Sequence, residues 1–289
     1  MRNRFHPSPL AAIAATALAG SVLAGCSSGS NDASGSELLA TTGVWADVAA
    51  AVTGTDVDAI ITGADIDPHH FEPTAQDLAK VKAADTLVAN GGGYDHSLYS
   101  VAEQDKVVFA IPPAEDGAEH DHSHGTEGLD SIEHIWFNPG KVKEVAREVA
   151  QRAGGSAADV EARMGAVEAK LAEIGSVRLA ATEPIAAGLI YGTQLHDVTP
   201  DGYLRAALNE SEPSAQDIAA FLETIEAGEL DLLVYNPQST TGAADRIVEA
   251  AKEHGVDVVE ISEIPPAGTN FLDYMDSVVD QIAQATAHH

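Results

Sequence analysis

Residues 38–62 read LLATTGVWADVAAAVTGTDVDAIIT. An apolar and β-branched run (38–42) is followed by an alanine-rich amphipathic stretch (about 45–52) and a second β-branched run (57–62). Valine, isoleucine and threonine favour strands and alanine favours helix, so the segment predicts strand, helix, strand. The same rhythm continues outward to the C-terminus. Strand-like runs fall at 86–89, 107–111, 177–181, 231–235 and 256–261, with helical stretches such as 75–83 and 214–227 between them. Ser214, with Asp217 three positions on, predicts the start of the second of these helices. Strands alternating with helices specify an α/β fold of parallel sheets covered by helices.

The middle of the chain breaks the rhythm, because 141–152 and 157–175 both read as helix with no strand between them. Along the second stretch Ala158, Val160, Ala162, Met164, Val167, Leu171 and Ile174 include the i, i+3, i+4 and i+7 spacings of one helical face. The expectation is two α/β lobes, 37–155 and 179–289, joined by a long rigid helix over 156–178. No internal repeat is visible in the residues themselves.

At the N-terminus, Arg2 and Arg4 precede an apolar, alanine-rich run over 10–24 that closes on Leu23-Ala24-Gly25-Cys26. The run is too short and too rich in small residues for a membrane span, and it reads as a secretory signal over 1–25. Its ending resembles the bacterial lipobox, which makes Cys26 the lipidated first residue of the mature chain. Residues 27–36, SSGSNDASGS, have the composition of a flexible tether, so 26–36 is expected to link membrane and domain. Cys26 is the only cysteine, so no disulfide forms within the chain.

Lys and Arg number 15 against 45 Asp and Glu, a formal net charge of -30. Such a field repels nucleic-acid phosphates and suits a cationic ligand, although most of this charge is solvated surface.

Two islands carry the candidate chemistry: Asp67-Pro68-His69-His70-Phe71-Glu72-Pro73 and Glu133-His134-Ile135-Trp136-Phe137-Asn138-Pro139. Each sets an imidazole beside a proline-fixed turn, a place where a metal ligand can be held still. His69 follows the strand at 57–62, and ligands in open α/β sheets bind beyond the carboxyl ends of strands. Capping of the helix after residue 74 is the competing role there. His134 lies beside Trp136, whose indole can wall a site against water or merely pack against the ring. Glu72 has the choice of orienting a ring nitrogen or capping the next helix. Asn90-Gly91-Gly92-Gly93 lacks both the Lys-Ser/Thr ending and the GxGxxG spacing of phosphate loops and reads as a tight turn. Gln238, after the strand at 231–235, is placed to donate to a ligand carboxylate.

The islands at 67–73 and 134–136, the lipobox and the central helix together resemble the solute-binding lipoproteins of zinc and manganese ABC importers, over nearly the whole mature chain. The resemblance implies a site between two lobes with four ligands. His69 and His134 match the first two. Glu183, after the first strand of the second lobe, takes the third position, with His196 as the competing candidate. Glu263, just past the last strand, takes the fourth, and Glu260 falls within the strand. Glutamate at the third and fourth positions departs from the histidine and aspartate common in the family, which leaves manganese as the alternative to zinc.

His120-Asp121-His122-Ser123-His124 lies in an acidic, low-complexity loop over 114–130. Alternating imidazoles capture zinc better than manganese, so His120, His122 and His124 are assigned auxiliary weak capture. The implied protein is monomeric and lipid-anchored on the extracytoplasmic face of the membrane. It passes a divalent cation to a permease driven by a separate ATPase, and it has no nucleic-acid partner and no catalytic residue. A zinc hydrolase, which needs an open water position on three protein ligands, and a metal-binding adhesin are the readings of other classes. The connecting helix implies loop rearrangement rather than wide hinging on metal uptake.

Overall fold

The computed structural model describes residues 37–63, 71–114 and 129–288. The signal and tether expected over 1–36, with Cys26, lie outside the described residues, as do His69 and the loop histidines His120, His122 and His124.

Among the described residues, eight strands form two parallel sheets. β1 (Leu38–Thr42), β2 (Asp58–Ile61), β3 (Thr86–Ala89) and β4 (Val107–Phe109) make the first, in the order β2-β1-β3-β4. β5 (Val177–Ala181), β6 (Leu195–Asp197), β7 (Leu232–Tyr235) and β8 (Asp257–Glu260) make the second, in the order β6-β5-β7-β8. The halves therefore share one topology without a visible sequence repeat. In each, the order reverses between the first and third strands, the switch point where a crevice opens at the strand carboxyl ends.

The α-helices among the described residues are α1 (Gly43–Thr53), α2 (Ala75–Ala83), α3 (His96–Tyr99), α4 (Pro139–Ala153), α5 (Ala158–Glu173), α6 (Ala187–Ile190), α7 (Asp201–Leu208), α8 (Ala215–Glu226), α9 (Gly242–Glu253) and α10 (Phe271–Ala285). Ser214 caps α8 with the reciprocal Asp217 bond that the spacing predicts, and Thr74 and Asp77 form the same box on α2.

Strand alternation sorts the apolar side chains. Leu39, Leu87, Ala89 and Val107 face an outer core under α2 and α3, while Ala180 and Leu233 face one under α7, α8 and α9. The opposite faces of both sheets, through Ala40, Val88, Leu179 and Val234, share a single core with α1, α4, α5 and α10. Each large side chain sealed there is worth about 1.5–3 kcal/mol, so this core, rather than one connecting helix, holds the halves together. The chain passes from the first sheet to the second through α5, which buries Val160, Met164, Val167 and Leu171, whereas Ala158 and Ala162 are exposed. A turn at 154–157 separates α5 from α4, and β5 already begins at Val177, so the helix between the sheets is shorter than 156–178. α10 packs back across α5, where Arg163 pairs with Asp273 and Asp276 and Lys170 with Asp280. Among the described residues, no helix is long and apolar enough to cross a membrane.

Candidate metal centre

His134 precedes a 3-10 turn, Ile135–Phe137, whose three apolar residues are all buried. Asn138 ends that turn and opens α4, its Oδ1 accepting the Lys141 N–H at 3.0 Å. Its Nδ2 donates to the Gly188 carbonyl in α6 at 2.9 Å. A Cβ at Gly188 would sit 3.2 Å from both the His134 carbonyl oxygen and the Asn138 nitrogen, so the backbones of the turn and α6 lie against each other. This close approach brings His134 to Glu183, which stands between β5 and α6.

Glu183 accepts a 2.5 Å hydrogen bond from Asn236 Nδ2, across the switch point between β5 and β7. Glu263, three residues beyond β8, is 7% exposed, and its Oε1 accepts the Tyr94 hydroxyl at 2.5 Å. His134 Nε2 lies 3.8 Å from the same oxygen. One ligating atom each from His134, Glu183 and Glu263 falls within 4.8 Å of the others. A tetrahedral zinc with bonds of about 2.0–2.2 Å holds its ligand atoms roughly 3.3–3.6 Å apart. Small side-chain movements are enough to close these three on one ion.

The loop that carries Glu263 is tied on both sides. The Ser262 N–H donates to the Tyr274 hydroxyl at 2.6 Å. The Ile264 N–H donates to Gln238 Oε1 at 3.0 Å, and Gln238 Nε2 returns a bond to the Ile264 carbonyl at 3.2 Å. Behind His134, Asn90 bridges two elements: its Oδ1 accepts from Trp45 Nε1 at 3.3 Å and its Nδ2 donates to the Glu133 carbonyl at 2.9 Å. Asn90 is in turn set by the buried Asp95, whose carboxylate accepts the Asn90 and Gly91 N–H groups and the Thr41 hydroxyl. Burial raises Asp95 to about 6 despite those bonds. Burial, and then the Glu263 charge, pushes the Tyr94 hydroxyl well above the usual phenol range, so it stays a donor. The Trp136 ring stands edge-on to the His134 imidazole at 5.2 Å and packs on Tyr94 at 4.9 Å, walling the site.

The structure thus gathers three of the four residues assigned as ligands, the fourth, His69, being outside the described residues. His196 is exposed on edge strand β6, paired in register with Arg178 at the start of β5, and does not join the group. Glu260 is exposed within β8. Glu72 is exposed, and the cap of α2 belongs to Thr74. Gln238 binds the main chain beside Glu263, while its neighbour Asn236 makes the bond to a ligand-type carboxylate. The sequence gives Tyr94 no role and Asn236 only a place in the 236–238 segment that shapes the cleft of the second lobe. Asn236 directly follows β7 at the switch point, and that position was the available signal.

Residues 38–285 match the family model described as zinc-uptake complex component A, periplasmic. Among curated proteins, the chain is 23% identical over 254 residues to the zinc-binding lipoprotein AdcA of Streptococcus pneumoniae, an alignment covering 76% of this chain and 49% of the relative. The chain spans about half the length of the curated relatives it matches. A crystal structure of ZnuA is similar with a TM-score of 0.61 at 19% identity, covering 86% of this chain and 98% of that one. The periplasmic zinc-binding protein TroA from Treponema pallidum gives a TM-score of 0.61 at 20% identity, covering 87% and 99%. At these identities the structural likeness is one of fold.

Proposed function

The chain belongs to the periplasmic zinc-uptake component A family, and from that premise we propose that it is the extracytoplasmic solute-binding component of an ABC importer for zinc. The observation that carries this reading is the convergence of His134, Glu183 and Glu263 at the strand carboxyl ends of two lobes. One imidazole and two carboxylates are hard-to-borderline donors suited to a divalent cation. His69 supplies the fourth ligand. Support for this comes from Ile61 and Thr62, shortly before it in the chain, which line the same cavity as Glu263.

In this reading the ion is cargo and the protein performs no chemistry on it. The ion replaces protons and water on side chains already placed by Tyr94, Asn236 and Gln238, which reduces the ordering that capture requires. The core shared by the two sheets favours local adjustment of the 262–264 loop over wide hinging. Cys26 anchors the chain to the membrane as a monomer, the histidines at 120, 122 and 124 gather zinc weakly, and a permease with its ATPase receives the ion. Manganese is the second reading, favoured by two carboxylates among the three grouped donors.

Titration of the metal-stripped protein with zinc and manganese separately tests the proposal. One tight zinc site, weakened in Glu183→Ala and Glu263→Ala, supports zinc capture. Tighter manganese than zinc binding moves the cargo to manganese, and no tight site for either overturns the transport reading.

A further inference from the structure

We propose that Asn90 and Asn236 are a matched pair of positioning residues for the metal centre, one in each half, each fixing a ligand of its own half before the ion arrives; this rests on the metal-binding reading above. Each is the first residue after the third strand of its sheet, β3 in one half and β7 in the other. Val88 and Val234, two residues earlier, face the core that the sheets share, and strand alternation puts both asparagines on that same face. They are 0% and 1% exposed. The two halves thus seal the same amide at the same place beside the switch point.

Asn90 Nδ2 donates at 2.9 Å to the Glu133 carbonyl, which belongs to the peptide entering His134. The His134 carbonyl, in the peptide leaving it, accepts the Phe137 N–H at 3.3 Å. Peptide planes on both sides of His134 are therefore held, and the imidazole is left with its own two side-chain torsions. Asn236 Nδ2 donates to Glu183 Oε2 at 2.5 Å, which holds the carboxylate itself. One amide sets its ligand through the backbone and the other through the side chain.

Neither donor is needed to build the turn in which it sits. After β3 the turn is closed by Asp95, whose carboxylate accepts the Asn90 and Gly91 N–H groups. After β7, Asn236 Oδ1 accepts the Gln238 N–H at 3.0 Å, and the Nδ2 group lies outside that turn. A side chain sealed from water at a strand end is ordinarily apolar, because a buried amide must find partners for its donors and its acceptor. Here the donors go to the segments that carry His134 and Glu183.

Zinc titration of Asn90→Ala and Asn236→Ala beside the wild type tests the pair. Val167→Ala in α5 is the control, since it removes buried volume from the shared core and none of these hydrogen bonds. Each asparagine variant should weaken zinc about ten- to a hundredfold, the scale of groups that orient metal ligands. Each should also change the visible absorption of the cobalt(II)-substituted protein, which reports ligand geometry. Val167→Ala should lower the denaturation midpoint, with zinc affinity within about twofold of wild type and the cobalt spectrum unaltered. In the wild type, the Asn90 side-chain amide hydrogens should exchange slowly with solvent whether or not zinc is bound; this measurement decides the matter if Asn90→Ala does not fold. Zinc affinity unaltered in either asparagine variant, an equal loss in Val167→Ala, or protection of the Asn90 amide that appears only with zinc overturns the proposal. Absence of a tight zinc site in the wild type overturns the metal reading and this one with it.

Discussion

Tyr94 and Glu263 stand 169 residues apart in the chain and share a hydrogen bond of 2.5 Å. One follows the third strand of the first sheet and the other the last strand of the second, so the bond ties the two halves at the point where the candidate ligands meet. Burial holds the phenol in its donor form, and the acceptor is a carboxylate with little access to water.

Tyr94→Phe leaves that carboxylate with one donor fewer, and the zinc-free protein should lose about 1–3 kcal/mol in urea unfolding. The effect belongs to the charge on Glu263, so the same substitution in a Glu263→Gln background should cost under about 1 kcal/mol. Additive losses in the double-mutant cycle would show that the two residues are not coupled.

Gln238 grips Ile264 through both main-chain groups without itself belonging to the grouped ligands. Gln238→Leu keeps its bulk and should weaken zinc by about tenfold, the scale of groups that orient metal ligands. Stability without metal should change by no more than about 1.5 kcal/mol. Unaltered zinc affinity in the titration would remove Gln238 from the positioning of Glu263.

Asp95 gives a pH signature. Its folded pKa is raised from 3.8 to about 6, so between those values the folded chain holds a proton that the unfolded chain has released. The stability contributed by this group is present below pH 3.8 and is lost as pH rises through about 6. Denaturant unfolding between pH 4 and 6 should show wild-type stability falling relative to Asp95→Asn, by at most about 1.4 kcal/mol per pH unit. A constant difference between the two proteins across that window would contradict the assignment.

Gly91 is held at φ +90°, and a Cβ there would lie 2.1 Å from the Ile111 carbonyl oxygen. Gly91→Ala should therefore destabilise by about 3 kcal/mol or more, measured as a drop in denaturation midpoint. The turn read in the sequence from Asn90-Gly91-Gly92-Gly93 is required because the backbone passes this close to its neighbour.

The parts of this molecule that were legible in the sequence are those set by local pattern. The strand-like run at 177–181 is β5 to the residue, and Ser214 caps α8 as its spacing indicates. Glu183 and Glu263 were located by resemblance, at positions just past strands that composition had already marked. β6 escaped because three residues, two of them the exposed His196 and Asp197, show no alternation. Tyr94 escaped because its role depends on a contact between lobes that local periodicity does not encode. The shared 2-1-3-4 strand order of the halves is carried by backbone topology, with side chains different enough to hide it.

The central claim is that one ion joins His134, Glu183 and Glu263. Anomalous diffraction from the zinc-loaded protein, recorded on both sides of the zinc absorption edge, tests it most directly. The account predicts one dominant peak about 2.0–2.2 Å from a ring nitrogen of His134 and from a carboxylate oxygen of each glutamate. A dominant peak elsewhere, on exposed carboxylates or with Glu183 left out of the shell, would contradict it.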